Sequence, residues 1–161
     1  MMADFEEIYA QYSPQIYRVC MGYINDKEQA KDLVQETFIS VWKNLSGFRN
    51  ESKISTWIFR IATNNCLRAL EKSKRVMTTE LPFHLPDQPH EETQEEKLAF
   101  LYNCIAELEE TDRIIISLVL EDLPQTEIAA IVGLSAVNTR VKIHRVKEKL
   151  AIKFRAHGQF E

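Results

Sequence analysis

Residues 123–150 read LPQTEIAAIVGLSAVNTRVKIHRVKEKL and carry the clearest structural signal in the chain. A short helix is predicted from about Gln125 to Val132, because its apolar residues recur at the spacing of one helical face. Gly133 then supplies a turn, since a positive φ costs glycine little. Ser135 is a good N-cap for a second helix. Together these signals predict a helix-turn-helix.

The second helix of this motif is basic, with Glu148 as the only acid between Arg140 and Arg155. Three apolar side chains are expected to pack back on the first helix: Leu134, Val137 and Val141. The polar side chains left on exposed or flanking faces are Asn138, Thr139, Arg140, Lys142, Arg145 and Lys147. Such a helix fits the major groove of DNA, where Asn and Arg read base edges and Lys holds phosphate. An ordinary helical hairpin with a solvated basic face is the alternative.

The bulk composition favours a helical protein. A chain of 161 residues can form one domain or two small ones. Only four glycines and five prolines are present, which favours helices with few turns, and no alternating strand pattern appears. Neither a membrane-spanning apolar run nor a signal segment is visible, so we expect a cytoplasmic protein that does not insert into membranes.

Charge is distributed unevenly along the chain. The net charge of −4 is unusual for a protein that holds DNA by itself. One basic stretch ends with Arg68, Lys72, Lys74 and Arg75, and the segment 140–155 forms another. Between them lies an acidic connector with Glu80, Asp87, Glu91, Glu92, Glu95 and Glu96. This pattern predicts two nucleic-acid contacts with a basic surface under the connector, and a solvated linker explains the connector equally well.

The cysteines and histidines indicate no catalytic or metal site. Cys20, Cys66 and Cys104 are far apart in sequence, and no histidine stands at ligand spacing from any of them. They are interpreted as small buried apolar residues in a reducing compartment. No phosphate loop, nucleophile elbow or paired acid site is present, so no cofactor is expected and an enzyme is the weakest reading.

Helical periodicity divides the chain into two all-α domains. Residues 1–76 are predicted to form a compact helical domain, in which Asp26 begins the second helix and Trp42 lies on its inward apolar stripe. Residues 77–93 contain three of the five prolines and are predicted to be an extended acidic linker. Residues 94–161 form the second domain, which ends in the helix-turn-helix.

Two motifs in fixed order resemble one family. Residues 32–38 (DLVQETF) and 56–64 (TWIFRIATN) resemble sigma domain two of bacterial extracytoplasmic-function (ECF) sigma factors. Residues 127–129 (EIA) and 133–135 (GLS), with the basic helix after them, resemble sigma domain four. The order, the separating linker and the total size also match. The resemblance covers nearly the whole chain.

The resemblance implies that the helix of residues 32–38 binds the clamp helices of core RNA polymerase. Helical spacing places Asp32, Gln35 and Glu36 on the polar side of this helix. Asp32 and Glu36 form an acidic pair four residues apart, which is mildly unfavourable in an isolated helix. A basic partner would relieve this repulsion, and a solvated acidic face is the alternative.

The resemblance also implies that residues 48–75 meet the minus-ten promoter element as a melted strand. Aromatic faces and polar groups hold unpaired bases, and cations follow the backbone. The aromatic candidates are Trp57 and Phe59, of which Trp57 is more naturally a core residue. The polar candidates are Arg49, Asn50, Lys53, Arg60 and Asn64. Arg60 and Asn64 stand one turn apart on one face and are the best candidates for contact.

This sequence departs from the common pattern of the family at several positions. Thr63 stands where a basic residue is frequent, Arg68 where an acid is frequent, and Glu71 where an arginine is frequent. In the second helix of the motif, residues 138–140 (NTR) replace the more usual Thr-Val-Lys. No promoter sequence can therefore be transferred from better-known members. The form of residues 138–145 resembles one seen among Bacteroidetes members.

The resemblance predicts a non-enzymatic sigma factor with core RNA polymerase and promoter DNA, duplex and melted, as partners. Asn138, Thr139, Arg140 and Lys142 would recognise the minus-thirty-five element, and Arg145 and Lys147 would hold phosphates. An anti-sigma factor, often membrane-bound in this family, is a further expected partner. Two alternatives remain: a stand-alone helix-turn-helix regulator that binds DNA as a dimer, and a non-enzymatic adaptor or decoy.

Overall fold

A computed structural model describes residues 4–73 and 93–157. Within these ranges all regular structure is helical and no strand occurs, which confirms the all-α prediction. The helices are α1 (Phe5–Ile24), α2 (Lys27–Asn44), α3 (Ile54–Ser73), α4 (Gln94–Ala106), α5 (Glu110–Val119), α6 (Gln125–Val132) and α7 (Ala136–His157), with a 3-10 turn at Leu45–Gly47 after α2. The predicted linker lies outside the described residues except for Thr93.

Local sequence signals fix the ends of the first two helices. Asn25 ends α1 in the left-handed conformation (φ 52°), which asparagine tolerates better than most residues. Asp26 is the N-cap of α2, because its side chain accepts a hydrogen bond from the Gln29 backbone N–H at 3.0 Å. Helix α2 ends at Asn44, and the 3-10 turn that follows it contains Gly47. Helices α1, α2 and α3 pack against one another.

One side chain of α2 contradicts the sequence prediction. Trp42 was expected on the inward apolar stripe, but its side chain is 65% exposed. Its ring meets the edge of Phe5 on α1, with ring centroids 5.1 Å apart. Phe38 and Val41 fill the inward positions instead. The core between α1 and α2 is therefore closed without the indole.

The helix-turn-helix forms as predicted. Gly133 ends α6 with φ 74°, and its N–H donates to the Ala129 carbonyl at 2.9 Å. The Ser135 hydroxyl then accepts from the Asn138 backbone N–H at 3.1 Å and caps α7. The turn residue and the cap thus stand two positions apart and set the angle between the two helices.

The two halves of the chain pack together rather than standing apart. Helix α1 contacts α4 and α5 as well as α2 and α3, and α3 contacts α6. Five successive residues of α1, from Val19 to Tyr23, are buried, so this end of the helix is covered on every side. Gly22 permits the close approach, since a Cβ there would lie 2.1 Å from the Ser117 Oγ of α5. Residues of both halves therefore share one hydrophobic core.

Among the described residues, no helix combines the length and the apolar character that crossing a membrane requires.

Candidate nucleic-acid interface

Helix α7 presents most of its predicted DNA-binding residues to solvent. Its buried seam consists of Thr139, Ile143, Val146 and Leu150. The exposed candidates are Asn138, Arg140, Arg145 and Lys147, and Lys142 is half-buried. Within the described ranges no acidic side chain pairs with these cations, so their charge is available to a ligand.

The side of α7 that faces inward differs from the sequence interpretation. Thr139, predicted to contact DNA, has no exposed surface, so its side chain cannot reach a base edge in this conformation. Val137 and Val141, expected to pack on α6, are 59% and 39% exposed, and that prediction is wrong. At about 100° per residue, both valines lie on the side opposite Thr139. The helix is thus rotated so that a threonine faces the core and two valines face solvent.

The later part of α7 is anchored to the protein. The Lys149 ammonium lies 3.7 Å from the Asp112 carboxylate of α5, which is 8% exposed. Lys153 pairs with Glu107 at the end of α4. These contacts hold the carboxyl-terminal turns against α4 and α5. The amino-terminal turns, which follow the Ser135 cap, are the part of α7 presented outward.

The second group of candidates lies on α3 and the loop before it. Arg49, Asn50, Lys53 and Asn64 are exposed. Asn50 has a left-handed backbone (φ 57°), which turns the chain toward the start of α3. These four side chains are free to meet a nucleic acid in the described conformation.

Arg60, the best candidate on α3, is already engaged within the protein. Its Nε and Nη2 donate to the Ala130 carbonyl at 3.0 and 2.9 Å. Ala130 lies in the last turn of α6, where carbonyls have no partner within the helix and a cation is favourable. The guanidinium therefore caps the first helix of the helix-turn-helix, although the Arg60 side chain as a whole remains exposed.

Glu127 makes a second connection between α6 and α3. Its Oε1 accepts from the Ser55 hydroxyl at 2.6 Å and from the Thr56 hydroxyl at 3.2 Å. Burial raises the pKa of the nearby Tyr12 phenol, and the negative charge of Glu127 raises it further. Helix α6 is thus docked on α3 at both ends, by Glu127 and by the Ala130 carbonyl.

Two further contacts join the halves near the end of α1. The Arg18 Nε donates to both carboxylate oxygens of Glu121, at 2.7 and 2.9 Å, and the Glu121 side chain is only 5% exposed. This hydrogen bond raises the pKa of Arg18. Asn25 donates to the Asn103 side-chain oxygen at 2.8 Å. Polar contacts therefore surround the shared apolar core and hold a closed arrangement.

The aromatic candidates on α3 are less available than the sequence suggested. Phe59 is fully buried and cannot stack on a base in this conformation. Trp57 is half-buried against the core, and its ring lies 4.9 Å from that of Phe48. The core role favoured for Trp57 from sequence agrees with this packing.

The predicted polymerase face of α2 is open. Asp32, Gln35 and Glu36 are exposed, and neither carboxylate has an ion-pair partner among the described residues. Ile39 is 53% exposed on the same side, as is Trp42 beyond it. Sequence reasoning missed both as surface residues, although Ile39 stands seven positions after Asp32 and so returns to the same face.

The three cysteines are buried, as predicted, and two of them meet. The Cys66 thiol donates to the Cys20 sulfur, with the sulfur atoms 3.8 Å apart between α3 and α1. This hydrogen bond and burial together raise the pKa of Cys20 well above its usual value. A raised pKa disfavours the thiolate, so this pair serves packing rather than nucleophilic chemistry.

Comparison with known proteins shows that each half of the chain matches a region of the sigma-70 family. The model for Sigma-70 region 2 matches residues 8–76, and that for Sigma-70, region 4 matches residues 101–150. The ECF RNA polymerase sigma factor SigG of Mycobacterium tuberculosis is 40% identical over 72 residues, which are 45% of this chain but only 20% of that protein. The RNA polymerase sigma factor YlaC of Bacillus subtilis is 27% identical over 157 residues, covering 91% of this chain and 90% of YlaC.

A solved structure has the same fold over nearly the same length. It is the sigma factor RpoE of Bartonella quintana, crystallised with the anti-sigma factor NepR. The TM-score is 0.73 at 21% identity, covering 91% of this chain and 94% of that one. Both sigma regions thus occur in order on a fold that a sigma factor shares. The chain belongs to the sigma-70 family, in its extracytoplasmic-function branch.

Proposed function

We propose that this protein is a non-enzymatic sigma factor that binds core RNA polymerase and directs transcription initiation at specific promoters. The observation that carries the proposal is the ordered pair of sigma regions, each bearing an exposed surface of the kind its role requires. A stand-alone regulator would not need the open acidic face of α2. We place the protein in the cytoplasm, where polymerase and promoters are found.

The α7 surface would recognise the minus-thirty-five element as a duplex. Asn138 and Arg140 lie in the first turns after the Ser135 cap, the part of a recognition helix that enters the major groove. Asn suits adenine and Arg suits guanine as bidentate partners. Arg145 and Lys147 lie further along and would hold phosphates, with Lys142 between the two groups. Thr139, being buried, supports this surface from behind.

The α3 surface would hold the melted minus-ten strand. Asn64 lies on the exposed side of α3, and Arg49, Asn50 and Lys53 precede the helix. Arg60 completes this surface only when its contact with Ala130 is released. Full promoter contact therefore requires α6 to leave α3, which we attribute to polymerase binding.

The α2 surface would bind polymerase. Asp32, Gln35 and Glu36 supply carboxylate and amide oxygens to a basic partner, and Ile39 and Trp42 add apolar area beside them. An exposed aromatic side chain next to charged groups is the composition of an interface centre with a polar rim. This combination suits a basic helical partner such as the polymerase clamp helices.

An anti-sigma factor, membrane-anchored or free, would hold the protein inactive. Support comes from the relative that was crystallised with an anti-sigma factor and shares this fold. The closed arrangement presents a ready target, because both halves are already together. We also propose, from the resemblance of residues 138–145, that the protein is related to Bacteroidetes-type members of the family.

Binding and transcription with purified components test the proposal. The free protein, with net charge −4, should shift promoter duplex weakly, because DNA affinity comes largely from phosphate neutralisation. With core polymerase added, the complex should bind specifically and produce run-off transcripts. Tight, sequence-specific binding by the free protein would instead support a stand-alone regulator, and core binding without any promoter-specific transcript would support an adaptor or decoy.

A further inference from the structure

Val137 and Val141 are exposed apolar side chains in the middle of a polar surface. They are 59% and 39% exposed and stand four residues apart, so they form one ridge along α7. Branching at Cβ restricts their rotamers in a helix, and neither side chain is buried in the core in return. Their presence on this side is therefore not explained by the stability of the protein alone.

The surroundings of the ridge indicate which ligand it fits. Arg140 lies on one side of the two valines, and Asn138 and Arg145 lie on the other, judged from the helical repeat of about 100° per residue. All three are exposed. A narrow apolar ridge between rows of donors and cations complements a groove with anionic walls and apolar groups on its floor. The major groove of DNA has this form, since phosphates line it and thymine places a C5-methyl group on its floor.

We propose that Val137 and Val141 read thymine methyl groups in the minus-thirty-five element. The inference rests on the proposed function of α7. The two residues are separated by a helical rise of about 6 Å, and base pairs stack at about 3.4 Å. The ridge therefore spans methyl groups about two base pairs apart, on either strand. The valines make thymine part of the recognised sequence beside the bases that Asn138 and Arg140 contact.

Removal of single methyl groups tests this directly. A promoter duplex library, randomised in the minus-thirty-five region, is first selected with the reconstituted holoenzyme. Each thymine of the selected sequence is then replaced by uracil, which lacks only the C5-methyl group. Binding should fall about fourfold at each of two positions, the factor expected for burying one carbon group. Val137→Ala should abolish the methyl dependence at one position, and Val141→Ala at the other.

Ile152→Ala is the matched control. Ile152 is another exposed apolar residue of α7, 64% exposed, and it lies about 22 Å beyond Val137 along the helix axis. This variant should keep both methyl dependences. Alanine favours the helix at all three sites, so the variants should fold.

Three results would overturn the inference. The first is that uracil replaces every thymine without loss of binding, and the second is a selected sequence that lacks thymine. The third is that the valine variants keep wild-type methyl dependence but lose affinity for polymerase, which would make the ridge a protein contact. A selected sequence without methyl dependence overturns only this inference. Failure to select any sequence overturns the proposed function as well.

Discussion

The α3 surface and the α7 surface are both candidates for promoter contact, but they differ in what they touch. Arg60 on α3 donates both hydrogen bonds to the Ala130 carbonyl of α6, and its neighbours Ser55 and Thr56 bind Glu127. Arg140 on α7 has no ion-pair partner within the described ranges. One surface is partly occupied by the protein itself, and the other is open.

The difference shows that the helix-turn-helix has two roles in this conformation. Its first helix covers part of α3, while its second helix faces outward. The α7 surface could reach a duplex while the halves are together, but the complete α3 surface could not reach a melted strand. Under the proposed function, a partner that separates the halves would control promoter opening more than duplex recognition.

The largest expected effect concerns the α2 surface, because the proposed separation of the halves depends on polymerase binding there. Reversing Asp32→Lys and Glu36→Lys together should weaken core binding about a hundredfold, since attraction to a basic partner becomes repulsion. Both residues are exposed, so the helical fold should persist. Pull-down of core polymerase and circular dichroism measure the two effects.

A matched control has the same change in net charge at other exposed acids, Glu95→Lys with Glu109→Lys. It should bind core polymerase nearly as well as the unmodified protein. Equal loss in both double variants would make the effect one of overall charge, and undiminished binding by the first would remove the α2 assignment.

On the α7 surface, two substitutions distinguish a residue that reads a base from a residue that holds a phosphate. Arg140→Ala should cost roughly 1–3 kcal/mol at a cognate site and relax the preference at one base pair. Lys147→Ala should weaken all sequences about equally and lower the salt slope by about one unit. Holoenzyme binding to minus-thirty-five variants across salt concentrations measures both. Matching specificity profiles would reduce Arg140 to a phosphate contact.

On the α3 surface, substitutions at two residues one turn apart test the contact between α3 and α6. Arg60→Ala should lower the free energy of unfolding of the free protein by about 1 kcal/mol, because the last turn of α6 loses its cap, and it should also slow promoter melting. Asn64→Ala should slow melting alone, since Asn64 makes no hydrogen bond to α6 in the described structure. Chemical denaturation and permanganate footprinting of the holoenzyme provide the readouts. Identical effects of the two variants would show that Arg60 has no special role between the halves.

Local signals made the helices and the turn predictable from sequence. Asp26, Gly133 and Ser135 each act through their own backbone neighbours, so their roles could be inferred without knowing the fold. The rotation of α7 about its axis could not be predicted from sequence, because its sequence contains two apolar stripes. One contains Val137 and Val141, and the other contains Ile143 and Val146. In the structure the second stripe packs against α5 and α6, and Thr139, which lies on the same side of the helix, is buried with it.

The contact between the halves was also beyond sequence reasoning. Arg18 and Glu121 are more than one hundred positions apart, and each looks like an ordinary surface charge in its own helix. The one visible signal was the run from Val19 to Tyr23, whose apolar residues cover every side of the helix and so exceed what one partner can bury. Continuous burial around a short helix segment indicates packing on two sides.

The most direct test is the distance between the halves in solution. Spin labels on Ser46→Cys, in the 3-10 turn after α2, and on Thr126→Cys, in α6, report the distance between the two halves by double electron–electron resonance. Both positions are exposed, while the native cysteines are buried. Gly22→Leu, which places bulk against Ser117, is the control for an opened protein, and Gly47→Ala, where nothing lies within 4 Å, is the control for an unaffected one. We predict one short distance in the free protein and in Gly47→Ala, and a longer one in Gly22→Leu and in the complex with core polymerase. An unchanged short distance in a transcribing holoenzyme would contradict the claim that the halves must separate.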